Sequence, residues 1–420
     1  MNLNFKYCLL IFFISHNLFS ADTLKLNTAK ADSLFLKNNL SIIAARYNIS
    51  YAKALKIQAK VYPNPTLYVE QSLINKYTRS DYDTDPTKTG STETIVQVNQ
   101  LIILAGKRNK LIKLADINTK LTEVDFENLL RTLRFELHNN ISQIYYNQLA
   151  LRLLKEEQQS IDKLSDNIDE QVKKGFISLS EGVRIQSLLL EIDKEINDYT
   201  NVNYDAIGVL NTILNLPPTT ILKVDNIIEL SRQLPPYNAC IDTATTYNPD
   251  LKKANYIIEY AKAQYNLNRA LVAPDANLQF VYDKSGNYIR NYYGLGIGIN
   301  LPTFNRNQGN IKASRFQVSQ TETELKVQQQ TVYTQIFSNY NSLQNNITIA
   351  NNYSTQYENQ LLQLMDKVLE NYQKRLISLT DFTNYYESYK QGYLSLLSIK
   401  ASLILNAEQL NFLIGKPIIK

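Results

Sequence analysis

Two stretches of this chain predict helices too long for any globular core. From Lys107 to Lys174, and again from Asn310 to Gln391, there is neither Gly nor Pro. At ~1.5 Å per residue, a helix through either run extends roughly 100 Å. Apolar residues recur at spacings of three and four, as Leu129, Leu133, Leu137, Ile141 and Ile144 in the first run. The second carries Val332, Ile336, Tyr340, Leu343 and Ile347 in the same spacing. Each set is one stripe on one helix face, with Asn, Gln, Lys and Glu opposite it. Helices of this kind have to lie along one another as a bundle or a barrel wall.

The chain also repeats itself. Asn39, Tyr51-Ala52-Lys53-Ala54 and Pro65 return as Asn248, Tyr260-Ala261-Lys262-Ala263 and Pro274, an offset of 209 positions. Further on, Lys174-Gly175-Phe176-Ile177-Ser178-Leu179 returns as Lys374-Arg375-Leu376-Ile377-Ser378-Leu379. Leu210-Asn211 with Pro217 returns as Leu410-Asn411 with Pro417, both at an offset of 200. A unit of about 200 residues is far longer than a solenoid repeat. Two equivalent halves of one architecture are expected side by side, with the nine-residue difference absorbed between Pro65 and Gly175. The boundaries this predicts are 21–217 for the first repeat, 218–247 for the connection and 248–420 for the second, integrated as one domain.

Composition narrows the function classes. The net charge of +5 over 420 residues is mild, with Lys and Glu interspersed, so no basic patch points to nucleic acid. There is no phosphate-binding loop, no catalytic triad and no metal cluster in the pattern, so neither an enzyme nor a cofactor is expected. His138 stands alone in a helical stretch and is read as a packed or solvated side chain rather than a ligand. Residues 1–20 read as an export leader: Lys6 is followed by an apolar stretch from Tyr7 to Phe19, with Ser20 and Ala21 near the cut. Cys8 belongs to that leader, so Cys240 is the lone cysteine after cleavage and no internal disulfide forms. No later stretch is long and apolar enough for a transmembrane helix.

Shorter helices are predicted at about Thr28 to Val61, Ser178 to Leu214, Asn248 to Leu271 and Ser378 to Leu413. Ser178 with Glu181, and Ser378 with Asp381, have the spacing of a capping box at a helix restart. Each half therefore ends in a helical hairpin turning near residue 176 or 376. Between its short and long helices each half carries two strand-like segments: Thr66 to Leu73 and Thr94 to Leu101, then Asn277 to Tyr282 and Tyr292 to Leu301. One face is apolar and the other small or polar, the pattern of membrane β-strands. Tyr68, Tyr77, Tyr82, Tyr282, Tyr288, Tyr292 and Tyr293 gather at these strands and at the loops Asn75 to Ser91 and Asp283 to Arg290, as an interfacial girdle does. Four strands cannot close a barrel, and lipid tolerates no open edge. Two arrangements stay open at this point: soluble surface hairpins, or several copies pooling their strands.

Three motifs carry a resemblance over nearly the whole exported chain. Tyr62-Pro63-Asn64-Pro65-Thr66-Leu67 is similar to the Asn-Pro-x-Leu start of the first strand in the outer-membrane efflux proteins, the TolC-like family. Leu301-Pro302-Thr303-Phe304-Asn305-Arg306-Asn307-Gln308-Gly309 closely resembles the strand-to-helix junction of its heavy-metal (cobalt-zinc-cadmium) branch. The hairpin tips at Gly175 to Glu181 and Tyr372 to Asp381 complete the match.

The resemblance implies a mainly α fold with a small membrane β part. A long α-helical barrel would carry four β-strands per protomer, and a homotrimer would form one twelve-stranded outer-membrane β-barrel in lipid. It implies a passive exit duct, working with a periplasmic adaptor protein and a proton-coupled inner-membrane pump, with heavy-metal cations as cargo. A duct for drugs or other small molecules, and a non-channel periplasmic spacer, are the alternatives. By position, the adaptor-docking tip is Gly175, Ile177, Ser178, Leu179, Ile377, Ser378 and Leu379. The periplasmic gate is Asp381, Glu181, Arg375 and Tyr372. A three-fold ring of Asp381 would attract cations, whereas a helix cap is an equal reading of the same residue. Arg375 stands where the family has a tip Gly, and Asn384 where a second acid is common, so an ion pair of Arg375 with Glu181 or Asp381 is a further expectation.

Overall fold

The computed structural model describes residues 23–71, 73, 93–227, 233–285, 290–353 and 355–419. The leader and the loop tyrosines Tyr77, Tyr82 and Tyr288 lie outside these residues. In chain order the elements are β1 (Thr23–Asn27), α1 (Thr28–Asn38), α2 (Leu40–Gln58), β2 (Thr66–Gln71), β3 (Thr94–Ile102), α3 (Lys107–Lys173) and α4 (Leu179–Leu214). There follow β4 (Ile221–Asn226), α5 (Tyr237–Tyr247), α6 (Pro249–Ala270), β5 (Ala276–Ser285), β6 (Arg290–Ile299), α7 (Gln308–Asn352), α8 (Thr355–Gln373) and α9 (Leu379–Ile414).

The first long helix is continuous over 67 residues, roughly 100 Å. It packs against α4 of its own repeat and against α6 and α9 of the other. The second long helix is not continuous. It ends at Asn352 with Tyr353 extended (φ −110°, ψ 100°) and resumes at Thr355. The surrounding Asn351-Asn352-Tyr353-Ser354-Thr355 is poor in helix formers, and Asn, Ser and Thr side chains compete for the backbone. The expected helix from Thr28 to Val61 is likewise interrupted, at Asn39.

That interruption explains the repeat. Asn39 caps α2 by accepting from Ile42 N at 2.9 Å and donates its amide to Ile213 O at 2.7 Å. Asn248 does the same for α6: it accepts from Asp250 N and Leu251 N and donates to Leu413 O at 2.6 Å. Both residues are buried. Each starts one helix while satisfying a terminal carbonyl of another. The repeated alanines Ala52 and Ala261 are buried too. Their neighbours Lys53 and Lys262 pair with Glu123 and Glu322, one on each long helix. Asn211 and Asn411 close the far end, where Leu216 N and Gly415 N return to their carbonyls. At Gly415 (φ +83°) a Cβ would lie 2.7 Å from Tyr247 O and 2.9 Å from Asn248 Cα, so only Gly fits.

Two features were not expected from the sequence: β1 lies at the start of the first repeat, and β4 and α5 lie in the connection. β1 pairs with β4 in parallel, Leu24 against Leu222 and Leu26 against Val224, and helix α5 precedes Asn248 as α1 precedes Asn39. Leu26, Leu222 and Val224 share a buried cluster with Leu137, Ile141 and Ile144 at the middle of α3. A second cluster joins Cys240 and Ala244 of α5 to Val332, Ile336 and Leu343 of α7.

The remaining strands form one sheet in the order β2-β3-β5-β6, antiparallel throughout. Its register sorts the side chains. Leu67 and Val69, Val96 and Val98, Leu278 and Phe280, and Leu295 and Ile297 fall on one face. Tyr68, Gln97, Asn99, Asn277, Gln279 and the glycines 294, 296 and 298 fall on the other. The Tyr282 and Tyr293 rings pack 5.0 Å apart, tilted by 34°, at the loop end of the apolar face. The sheet leaves the helices through Pro63 and Pro65 and returns at Lys107. There Asp275 accepts from Leu104 N at 2.9 Å and from Lys107 Nζ at 2.8 Å, tying the two repeats together at the root of the strands.

Asn248→Ala removes a cap and strands a buried carbonyl, so it is expected to destabilise the protein by about 2–4 kcal/mol. Asn39→Ala should match it. Urea or thermal unfolding of the two variants against the wild type measures this.

Candidate functional site

The helical hairpins meet at the end of the molecule away from the sheet. Both turns reverse through a left-handed residue: Gly175 at φ 78° and Arg375 at φ 58°. In each, a backbone amide reaches back five residues, Phe176 N to Gln171 O and Leu376 N to Asn371 O. Gly takes this conformation freely, whereas Arg375 is strained there by about 1 kcal/mol. Its guanidinium donates to Gln171 Oε1 at 3.4 Å, rather than to either carboxylate suggested by the sequence.

The two restarts are similar but not equal. Ser378 caps α9 with a full box: Asp381 N donates to Ser378 Oγ at 3.1 Å. In return Asp381 Oδ2 accepts from Ser378 Oγ at 2.6 Å and Ser378 N at 3.3 Å. Ser178 accepts from Glu181 N at 3.3 Å. Asp381 is exposed and Glu181 half-buried. Arg184 Nη1 donates to Thr380 Oγ1 at 3.1 Å, linking the start of α4 to the start of α9.

The apolar tip residues split into two sets. Ile177, Ile377 and Tyr372 pack on a buried cluster built from Ile168, Ile185, Leu188, Phe382 and Tyr386. Leu379 is in that cluster, 6% exposed, while its repeat partner Leu179 is 72% exposed. Leu379 is thus turned inward, away from any docking surface. Phe176 and Leu376, at the same position of the two repeats, are also exposed, as is Val183. The Tyr372 ring packs on Phe382 at 5.0 Å, tilted by 32°. Burial pushes its hydroxyl pKa up, the Glu181 charge adds to this and Arg375 opposes it.

Higher in the bundle are two polar clusters absent from the expected site. His138, 12% exposed, bridges Glu408 at 2.9 Å and Asp32 at 3.2 Å, so it joins α3 to α1 and α9. Burial opposes its charge, but the two carboxylates outweigh this and lift its pKa to about 9. The second cluster is Glu157 on α3, Glu191 and Glu195 on α4, and Tyr386 and Lys390 on α9. Tyr386 donates to Glu157 Oε2 at 2.7 Å, and Lys390 Nζ reaches Glu195 at 3.0 Å and Glu191 at 3.2 Å. Lys390 is 0% exposed. The sequence signal was a charge set within an apolar stripe: Glu157 lies one turn from both Leu153 and Ile161, and Lys390 one turn from Tyr386. Among the described residues no group of His, Cys, Asp and Glu has the arrangement of a metal site, and no helix is long and apolar enough to cross a membrane.

Residues 240–416 match the family model of the outer membrane efflux protein. No curated protein sequence matches the chain. Among solved structures, the fold is shared with CusC, studied for transmembrane channel formation, at TM-score 0.72 and 15% identity, over 93% of this chain and 92% of that one. The outer membrane protein VceC of Vibrio cholerae aligns at TM-score 0.74 and 14% identity, over 93% and 96%. The MtrE outer membrane channel of Neisseria gonorrhoeae, in its open state, aligns at 0.71 and 14%, over 93% and 89%. The second half of the chain is thus similar to the outer membrane efflux protein family, and the whole described chain has the fold of these channel proteins.

Three outcomes test the tip and the His138 bridge. Leu379→Asp should destabilise by about 3 kcal/mol or more, because it buries an unpaired charge, while Leu179→Asp should leave thermal stability nearly unchanged. Arg375→Gly should be neutral or stabilising by up to ~1 kcal/mol, and Gly175→Ala destabilising by about as much. The His138 bridge stabilises the fold fully below the ordinary His value of 6.5 and is lost as pH rises through about 9. The melting temperature of His138→Gln should therefore fall less steeply than wild type over that window.

Proposed function

We propose that this chain is the outer-membrane duct of a tripartite efflux system, a passive conduit fed by an inner-membrane pump through a periplasmic adaptor. The observation that carries the proposal is a four-stranded sheet at the end of a helical body roughly 100 Å long. It has one apolar face and two unpaired edge strands, β2 and β6. On that face Leu67, Val69, Tyr293, Leu295 and Ile297 are each half exposed or more, a contiguous apolar surface of the kind that marks a membrane or protein contact. The opposite face carries amide side chains, glycines and Glu70, with Tyr68 and Tyr292 and a few apolar residues among them, a more polar surface of the kind a water-filled lumen requires.

A sheet in lipid must satisfy every backbone group, so β2 of one copy has to pair with β6 of the next. Three copies give the twelve-stranded barrel that the resemblance implies. The family match of residues 240–416 and the shared channel fold support the same reading. Both repeats then act as one integrated unit that passes from the outer membrane into the periplasm.

The cargo we infer is heavy-metal cations. Support comes from the Asn305-Arg306-Asn307-Gln308-Gly309 junction and its resemblance to the cobalt-zinc-cadmium branch. Those residues do structural work at the joint: Asn307, at φ 57°, donates to Asn268 O at 2.8 Å, and Gln308 accepts from Arg306 N at 2.8 Å. Selectivity would instead fall to the tip, where three copies of the exposed Asp381 would form an acidic ring, with Glu181, Arg375 and Tyr372 around it. Adaptor docking would use Phe176, Leu179 and Leu376, held out by the turns at Gly175 and Arg375, with Ile177, Ser178, Ile377, Ser378 and Leu379 shaping the surface from beneath.

A cysteine pair placed on the outward edges of β2 and β6 should form disulfides only between copies, giving a covalent trimer on denaturing gels. Disulfides confined to one chain, or a dimer as the end product, would refute the barrel. In planar bilayers Asp381→Asn should lower the cation preference of the pore, and unchanged selectivity would remove Asp381 from the gate.

A further inference from the structure

Glu157 lies eighteen residues before Gly175 on α3, roughly 27 Å from the tip turn. It is the point where the first hairpin, α3 with α4, grips α9 through polar groups. Its carboxylate is 3% exposed, takes one hydrogen bond from Tyr386 and has no partner at Oε1. The ammonium that could neutralise it, Lys390, is already held by Glu191 and Glu195 of α4. One buried cation therefore faces three carboxylates, and Glu195 Oε2 is also without a partner. Glu156 stands at the rim on α3. From α9, Tyr389 faces the cluster, with Asp366 of α8 acting on it from the outer side. Tyr199 of α4 and Tyr393 of α9 close its upper edge.

We propose that this cluster is an acid-tightened clasp between the two hairpins: Glu157 takes up a proton from solvent when α9 packs against α3 and α4, and releases it when the hairpins part. A neutral Glu157 leaves two carboxylates to one ammonium and removes an unsolvated charge from the core. Parting the hairpins lets water reach Glu157, and the ionised form is then stable. The proposal concerns contacts inside one chain, so it stands or falls separately from the channel reading.

The direction follows from where the proton is held. Burial pushes the Glu157 carboxyl up to about 7; Tyr386 and Lys390 oppose this, and Glu195 and Glu156 add to it. In the parted state the group returns towards the ordinary value of 4.5. Closing therefore takes up a proton. The clasp is tightest below 4.5, weakens as pH rises from there to about 7, and is constant above that. Between about pH 5 and about pH 8 the opening constant should rise on the order of tens-fold. Apolar side chains of the shared cluster make up most of the rest of this face, and at the tip Arg184 donates to Thr380 and Arg375 to Gln171. α8 is a helix separate from α7, with the backbone extended at Tyr353 between them.

The experiment is pulsed electron paramagnetic resonance on full-length protein, with spin labels at the exposed positions Ser187 on α4 and Glu387 on α9, diluted with unlabelled chains. Expected is a longer-distance population that grows on the order of tens-fold from about pH 5 to about pH 8. Glu157→Gln should hold the short distance at every pH. Tyr386→Phe keeps the carboxyl, and should open more at each pH while keeping a pH response. A wild-type distribution that does not move over this range overturns the proposal whatever the variants do. So does a Glu157→Gln protein that responds to pH as the wild type does.

Discussion

The covering of the α3 stripe is the constraint on which the rest depends. A helix of 67 residues exposes one apolar line over roughly 100 Å, and no single neighbour in this chain is long enough to cover it. The line is covered in sections, by α4 along much of its length and by α6 and α9 from the second repeat. Leu137, Ile141 and Ile144 are sealed by β1, β4 and α1 at the middle, and Leu164 and Ile168 by α4 and α9 towards the tip. Two equivalent halves are the economical solution, because each supplies what the other leaves bare. Polar ties fix the register of this arrangement: the Arg131 guanidinium contacts Asp250 at 2.8 Å, Phe412 O at 3.0 Å and the Phe412 ring at 4.1 Å.

The same helices set the geometry of both ends. At one end their outgoing chains become strands whose apolar residues face outward, because no further layer covers that face. At the other the hairpins turn within five residues, and capping serines restart each return helix. The middle is knitted by side chains that sequence reading passes over, His138 between Asp32 and Glu408 above all. Function at either end therefore rests on a helical body made rigid by buried pairs between the repeats.

Gly and Pro punctuation and apolar periodicity made much of the fold legible. The turns at Gly175 and Arg375, the strand positions and the restart at Ser378 are local signals, and the structure has them within a few residues. Other features depended on distant partners. β1 and β4 are five and six residues long, and neither is distinctive until the other lies beside it. The break at Tyr353 comes from weak helix formers within a long periodic run, where periodicity alone predicts continuity. Leu179 and Leu379 are equivalent in sequence, yet only Leu379 meets a core, because the two hairpins do not have the same neighbours. The Glu157 cluster was hidden for the same reason: Tyr386 lies 229 positions away.

On the proposed function, the sheet is completed only by further copies of the same chain. Light scattering and negative-stain microscopy of the protein extracted from membranes test it most directly. Expected is a particle of three chains, a tube well over ~100 Å long with the strands closed at one end. A water-soluble monomer or dimer with its sheet edges exposed would contradict it.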